Sequence, residues 1–248
     1  MLRLGRYQRP MPPLTSPQVI SFDCAQTLLW VDWDPVRLAC QSATDMGFGG
    51  DSRAAEIYGR LLKTRWAEYL TLNEAADEDA TDAWWARLGQ DWVSEVGWPE
   101  DAASIIAQRA TAKLYGPNAD VFGLFPDTLP TLQALKERGV RMAVVSNWDI
   151  SLDRTLRAFG IDQFFEVTVA SMVVNSEKPD AGIFQHALGR LGVEPAEVWH
   201  VGDDAVADAQ GARQVGMHSL LIDREYAGDS PYVISSLSTI LDHLDACN

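Results

Sequence analysis

Three aspartates fall within six positions in the stretch "VGDDAVAD": Asp203, Asp204 and Asp208. Carboxylates this close repel one another unless a cation sits among them. Mg²⁺ takes a few carboxylates together with water and substrate oxygen, so the cluster is a candidate magnesium site. Acids opening a helix also complement its dipole, which accounts for one of the three but not for all. A fourth aspartate, Asp23, ends the apolar run "VISF". A strand-end carboxylate can cap nearby amides, or attack phosphorus or an alkyl carbon to form a covalent intermediate. Ser146 and Asn147 follow "MAVV" and can donate hydrogen bonds to a phosphoryl or carboxylate oxygen. A lone serine there would read as a turn former. Lys178 precedes Pro179, which disfavours helix at the lysine. It is either an exposed surface cation or the partner of both Asp23 and a bound anion. Trp148, next to Asn147, is the aromatic most readily expected near a bound ligand.

Residues so far apart in sequence need a scaffold that gathers them. "QVISFD", "VRMAVVSN", "FEVTVAS", "EVWHVGDD" and "HSLLID" read as strands. Between the later ones lie helical stretches of ten to twelve residues, such as "AGIFQHALGRLG" and "AVADAQGARQVG". That alternation predicts right-handed βαβ units, a Rossmann-like doubly wound parallel sheet and an α/β fold. Ligands on such sheets bind beyond the C-terminal strand ends. Asp23, Ser146, Asn147, Asp203 and Asp204 all fall there.

From Asp34 to about Tyr115 the pattern changes to apolar residues spaced by three and four. "SRAAEIYGRLLKTRWAEYL" and "TDAWWARLGQDWVSEVG" read as amphipathic helices, with Thr81 or Asp82 as the expected N-cap of the second. "PEDAASIIAQRATAKLYG" opens on Pro and acids and ends at Gly116, the usual helix asymmetry. The expected organisation is a loose tail at 1–17, an α/β core at 18–33 and 117–248, and an inserted helical cap at 34–116. Helical spacing assigns most of the cap tryptophans (Trp66, Trp84, Trp85, Trp92 and Trp98) to packing rather than to a pocket.

Twenty Lys and Arg against 35 Asp and Glu leave a net charge of -15. That argues against nucleic acid or an anionic membrane as partner, while a metal would still admit a small anionic substrate. Three scattered cysteines form no zinc-type cluster and suit a reducing compartment. No apolar run approaches a membrane span. The expectation is a cytoplasmic monomer or homodimer.

Taken in order, "FDCAQTL", "VVSN", "SEKPDAGIF" and "HVGDDAVADAQGARQVGM" resemble the motifs of the haloacid dehalogenase (HAD) superfamily across residues 18–240. "TDAWWARL", "AVVSNWD" and "HVGDDAVADAQGARQVGMHS" are similar to its hydrolase domain-containing type-3 branch. The resemblance implies that Asp23 is the nucleophile, Ser146 with Asn147 the phosphoryl binder and Lys178 the charge neutraliser. It also implies that Asp23, Asp203 and the backbone carbonyl of Ala25 hold Mg²⁺, with Asp204 or Asp208 in support.

One position departs from that pattern. Phosphatases of the superfamily carry a second aspartate two residues after the nucleophile, followed by glycine; here stand Ala25 and Gln26. A positioned general acid/base contributes about 10²–10⁴-fold in rate. Three readings follow. One is a phosphatase with a weakened or relocated acid, Asp32 or Asp34 being the nearby carboxylates, biased towards aryl or acyl phosphates. Another is a phosphonatase- or dehalogenase-type hydrolase. Phosphonoacetaldehyde hydrolases carry Ala at this position and use a cap lysine. Of Lys63 and Lys113 in the cap, Lys63, about forty residues after Asp23, is the candidate, against the plainer reading of a solvated helix residue. The third is a non-catalytic binding protein on the same fold.

Overall fold

The computed structural model describes residues 14–49 and 51–247. A six-stranded sheet runs in the order β5-β4-β1-β6-β7-β8, with every neighbouring pair parallel. Its strands are β1 (Val19–Phe22), β4 (Arg141–Ser146), β5 (Val167–Ala170), β6 (Val198–Gly202), β7 (His218–Ile222) and β8 (Val233–Ile234). The central strand β1 is buried on both faces, which explains its unbroken apolar run. Ile20 and Phe22 face one layer with Leu132 and Leu135 of α5 (Thr128–Glu137), Leu152 and Leu156 of α6 (Leu152–Ala158), and Ile240 of α10 (Thr239–Ala246). Val19, Ala143 and Val145 face the other, with Ile183, Phe184 and Ala187 of α8 (Ala181–Leu191) and Ala212 of α9 (Gly211–Gln214). Short α7 (Ser171–Val174) follows β5 directly.

Between β1 and β4 the chain leaves this sheet. β2 (Leu29–Val31) and β3 (Phe122–Leu124) pair antiparallel as a separate two-stranded ribbon. Asp32 N donates to Val121 O at 2.8 Å and extends it. Between them lie α1 (Pro35–Asp45), α2 (Ser52–Glu74), α3 (Glu78–Val96) and α4 (Ala102–Tyr115). They pack around their own core of Ile57, Tyr58, Tyr69, Trp84, Leu88 and Trp92. Trp84 and Trp92 are buried there, and Trp66, Trp85 and Trp98 pack against the same cluster, so the packing expectation for the tryptophans holds.

Hydrogen bonds from the helical layer reach the loop after β4 and helix α6. Tyr69 of α2 donates to Asp149 Oδ2 at 2.6 Å, and Asn73 Oδ1 accepts from Ile150 N at 2.7 Å. Burial, together with the neighbouring Asp149, pushes the Tyr69 hydroxyl up, so it stays a donor. Asp82 of α3 pairs with Arg154 of α6 through two bonds at 2.8 and 2.9 Å.

Local expectations differ in three places. The N-cap of α3 is Asp77, not Thr81 or Asp82: its extended backbone lets its carboxylate accept from Ala80 N, one turn earlier. The single helix expected over "AVADAQGARQVG" begins instead as a wide turn over Ala205–Gln210, in which both Asp208 N and Ala209 N donate to Asp204 O. Of the expected loose tail, residues 14–17 lie against the core, where Thr15 O accepts from Trp199 Nε1 at 2.9 Å. Residues 1–13 fall outside the described residues.

Candidate active site

Asp23 follows the last residue of β1 and is 5% exposed. Its Oδ1 accepts from Ser146 Oγ at 2.8 Å and from Lys178 Nζ at 2.6 Å. Ser146 closes β4, the strand beside β1; Phe22 lies level with Val144, so the two side chains meet diagonally past the adjacent strand ends. Burial raises Asp23 above the ordinary carboxylate range; the Lys178 charge opposes this and the Asp208 charge adds to it. Neither of these bonds falls on Oδ2.

Lys178 is itself buried, at 4% exposure. Burial disfavours its charge, but Asp23 and Asp208 together outweigh that and raise it, so the ammonium stays charged. Its Nζ reaches Asp208 Oδ1 at 2.5 Å as well as Asp23. Asn147 holds the backbone of this lysine. Its Oδ1 accepts from Lys178 N at 2.7 Å and its Nδ2 donates to Lys178 O at 3.0 Å. The side chain expected to help bind phosphoryl oxygen is therefore engaged at both ends in positioning Lys178. Trp148 is half-buried, donates from Nε1 to Ser151 Oγ at 3.1 Å and packs 5.5 Å from Phe122.

The three clustered aspartates divide. Asp23, Asp203 and Asp208 each bring a carboxylate oxygen within 4.8 Å of the others. Asp204 lies outside that group: its Oδ1 accepts from Val206 N and Ala207 N at 2.7 Å each, capping the wide turn. Asp208 is largely occupied. Oδ1 accepts from Lys178 and from His200 Nε2 at 3.1 Å, and Oδ2 accepts from Asp204 N at 2.9 Å. Burial would raise Asp208, but the His200 bond and the Lys178 charge hold it below the ordinary range. Asp203 projects outwards. Burial, then the charges of Asp23 and Asp208, push it up to about 7. An all-oxygen donor set carrying excess negative charge suits a hard divalent cation.

Gly202 makes this arrangement possible. A Cβ there would sit 2.1 Å from Asp208 Cγ, so only glycine leaves room for that carboxylate beneath the strand end. Ala25 is half-buried, and its backbone bridges to Leu29. Gln26 has φ 57°, the left-handed region that favours glycine, and its Nε2 is tied to Val31 O at 2.7 Å.

Known proteins bear on this arrangement. The family profile described as haloacid dehalogenase-like hydrolase matches residues 18–216. The chain belongs to the haloacid dehalogenase-like hydrolase family. Within the HAD-like hydrolases it is similar to haloacid dehalogenase-like hydrolase domain-containing protein 3. The bovine (Bos taurus) protein is 33% identical over 65% of this chain and 67% of its own length. The mouse (Mus musculus) protein is 40% identical over 46% of this chain and 49% of its own, so that match spans about half of the relative. A glyceraldehyde 3-phosphate phosphatase from Methanopyrus kandleri is 36% identical over 50% of this chain and 51% of that protein. Among solved structures, a 2-haloacid dehalogenase from Pseudomonas syringae pv. Tomato DC3000 has a TM-score of 0.61 at 23% identity. That match covers 93% of this chain and 99% of the other, a likeness of fold.

The side chains considered as substitutes for the HAD second acid have other partners. Asp32 pairs with Arg37 at 2.6 Å, and Asp34 caps α1 by accepting from Arg37 N at 2.9 Å. Of the two candidate lysines, Lys113 is buried and donates to Asp120 at 2.7 Å, while Lys63 is exposed on α2. A lysine that forms a Schiff base is activated by a desolvated pocket or a neighbouring cation. Exposed Lys63 lacks the desolvated pocket.

Proposed function

We propose that this chain is a Mg²⁺-dependent hydrolase of small phosphorylated metabolites, with Asp23 as nucleophile and 34–116 as its cap. The observation that carries the reading is the sharing of Asp23 Oδ1 between Ser146 and Lys178, which leaves Oδ2 to attack. Attack forms an Asp23–phosphoryl bond as the bond from phosphorus to the leaving oxygen breaks. Lys178 offsets charge on the phosphoryl group, and Ser146 Oγ–H turns from Asp23 to a phosphoryl oxygen. Water then attacks the acyl phosphate and frees Asp23. Asp23, Asp203 and the Ala25 carbonyl are the groups that would hold Mg²⁺. The ion supplies positive charge that draws the phosphoryl group and the carboxylate together. Asp208 and Asp204 position the site: the first holds Lys178 and the second caps the turn. Asn147 fixes the backbone of Lys178. Trp148, Phe122 and the helical layer close over the strand ends and limit water. The relative named as a glyceraldehyde 3-phosphate phosphatase supports this substrate class.

Ala25 leaves the departing oxygen without a proton donor in the usual place. Leaving groups that need no proton are therefore favoured. In a screen at fixed Mg²⁺, 4-nitrophenyl phosphate and acetyl phosphate should turn over about tenfold or more faster than glycerol phosphate. Chelation should abolish all three activities, and phosphonates and 2-haloacids should give no product. Equal rates on aryl and alkyl esters, or turnover of haloacids in chelator, would overturn the reading.

The elevated Asp203 also sets a stability signature. A carboxyl raised from 3.8 to about 7 on folding binds a proton more readily in the native state. Its contribution is full below pH 3.8 and is lost as pH rises through about 7. Chelator-treated protein should therefore melt at a lower temperature at pH 7.5 than at pH 5. Mg²⁺ should raise the melting temperature more at pH 7.5, where its ligands are ionised. An equal Mg²⁺ shift at both pH values, or none, counts against this ligand set.

A further inference from the structure

His200 is fully buried in β6, level with the buried Ser21 and Ser219 of its two neighbouring strands, with its ring 5.2 Å from Phe184 in an edge-to-face arrangement. An apolar side chain would pack there without any polar group to satisfy, so the imidazole has something else to explain it. Its two nitrogens are both engaged. Nε2 lies 3.1 Å from Asp208 Oδ1, and Nδ1 lies 2.8 Å from Ser21 Oγ. Ser21 stands directly across from His200 in the β1–β6 register and two residues before Asp23. Gly202, two residues after His200, is the position whose missing Cβ admits the Asp208 carboxylate. A carboxylate only accepts, so Nε2 carries the hydrogen. In the neutral ring Nδ1 is then the acceptor of the Ser21 hydroxyl, whose other acceptor, Trp199 O, is at the outer limit of 3.5 Å.

We infer that His200 is a positioning residue for the reaction, acting through Asp208 on Lys178. The chain Ser21–His200–Asp208–Lys178–Asp23 is continuous in hydrogen bonds. Without the Nε2–H donor, Oδ1 of Asp208 keeps Lys178 as its sole partner on that oxygen. Asp204 N still holds Oδ2, but Oδ1 then turns wholly to the ammonium and draws it away from Asp23. With the donor, Oδ1 is shared between the imidazole and the ammonium, and its pull on Lys178 is divided. Lys178 is thus aimed at Asp23 and at the phosphoryl group beside it. The inference rests on the Asp23 reading for its kinetic consequence, and on geometry alone for the rest.

The test compares wild type, His200→Leu and His200→Gln. Gln keeps a side-chain N–H donor, whereas Leu keeps only the volume. With 4-nitrophenyl phosphate and saturating Mg²⁺, His200→Leu should lose about 10–100-fold in kcat with KM changed less than about threefold. His200→Gln should recover most of that loss, even where both variants melt at the same lowered temperature. Two readouts need no turnover. Imidazole ¹⁵N NMR should show the Nε2–H tautomer. The buried Lys178 ammonium should give a slowly exchanging ¹H–¹⁵N signal in wild type and His200→Gln that is lost in His200→Leu. Wild-type kcat in the Leu variant, no recovery in Gln, an Nδ1–H tautomer, or an unchanged Lys178 signal in Leu would each overturn the inference. Failure of the Asp23 reading shows separately, as wild-type activity that does not depend on Asp23.

Discussion

Replacing Asp23 with Asn is expected to lower kcat on every substrate by about 10³-fold or more, with the fold intact. The amide has almost the shape of the carboxylate, and its oxygen can still accept from Ser146 and Lys178. It lacks the charge and the free oxygen that attack phosphorus, and an effect confined to the chemical step appears in kcat rather than KM. The variant also removes one of the two negative charges that push Asp203 up to about 7. Asp203 should then titrate nearer the ordinary carboxylate range, and the melting temperature should vary less between pH 5 and 7.5. Single-turnover assays with a ³²P-labelled substrate should trap a phosphorylated wild-type protein and none in Asp23→Asn. Activity within tenfold of wild type would remove Asp23 as nucleophile, whatever other residue proved responsible.

Much of this arrangement was legible in the sequence, for a physical reason. In a parallel sheet the functional side chains gather at the C-terminal strand ends, and the end of each apolar run is visible as a change to polar residues. Asp23, Ser146 and Asp203 each stand at or just past such an end. What stayed hidden depends on contacts between segments. The β2–β3 ribbon consists of two three-residue strands about ninety positions apart, too short for alternation to register. Asn147 was expected to face phosphoryl oxygen, because its type and place suit that role. Only the path of the 175–178 loop shows its amide holding Lys178. Asp204 and Asp208 look alike in sequence, yet one caps the wide turn and the other lies beneath Gly202. His200 gave the weakest signal. A single histidine inside "EVWHVG" reads as an ordinary core residue until Ser21 and Asp208 are seen at its two nitrogens. The small glycine two positions later was the one local clue, since it makes room for a side chain from elsewhere.

Restoring the missing acid, Ala25→Asp, is expected to raise kcat on alkyl phosphates by about 10²-fold while changing aryl phosphates less than about threefold. The asymmetry is the point of the experiment. Nitrophenolate leaves without a proton, whereas an alkoxide needs one, so a new carboxylic acid helps only the second. The backbone at residue 25 is already bridged to Leu29, and a longer side chain leaves its carbonyl in place. Residue 25 is half-buried, so the added carboxyl is partly desolvated, and Asp23 two residues away opposes its ionisation. Both effects keep a fraction of it protonated near neutral pH, as an acid requires. Gln26 follows in a left-handed conformation, with its side chain tied to Val31 O. The double variant Ala25→Asp with Gln26→Gly should therefore gain at least as much as the single one, because glycine enters that conformation without strain. Ala25→Asn, which matches the volume but cannot donate a proton as an acid, should gain nothing. Equal gains in Asp and Asn, or gains shared by aryl and alkyl esters, would show that residue 25 limits packing rather than proton transfer.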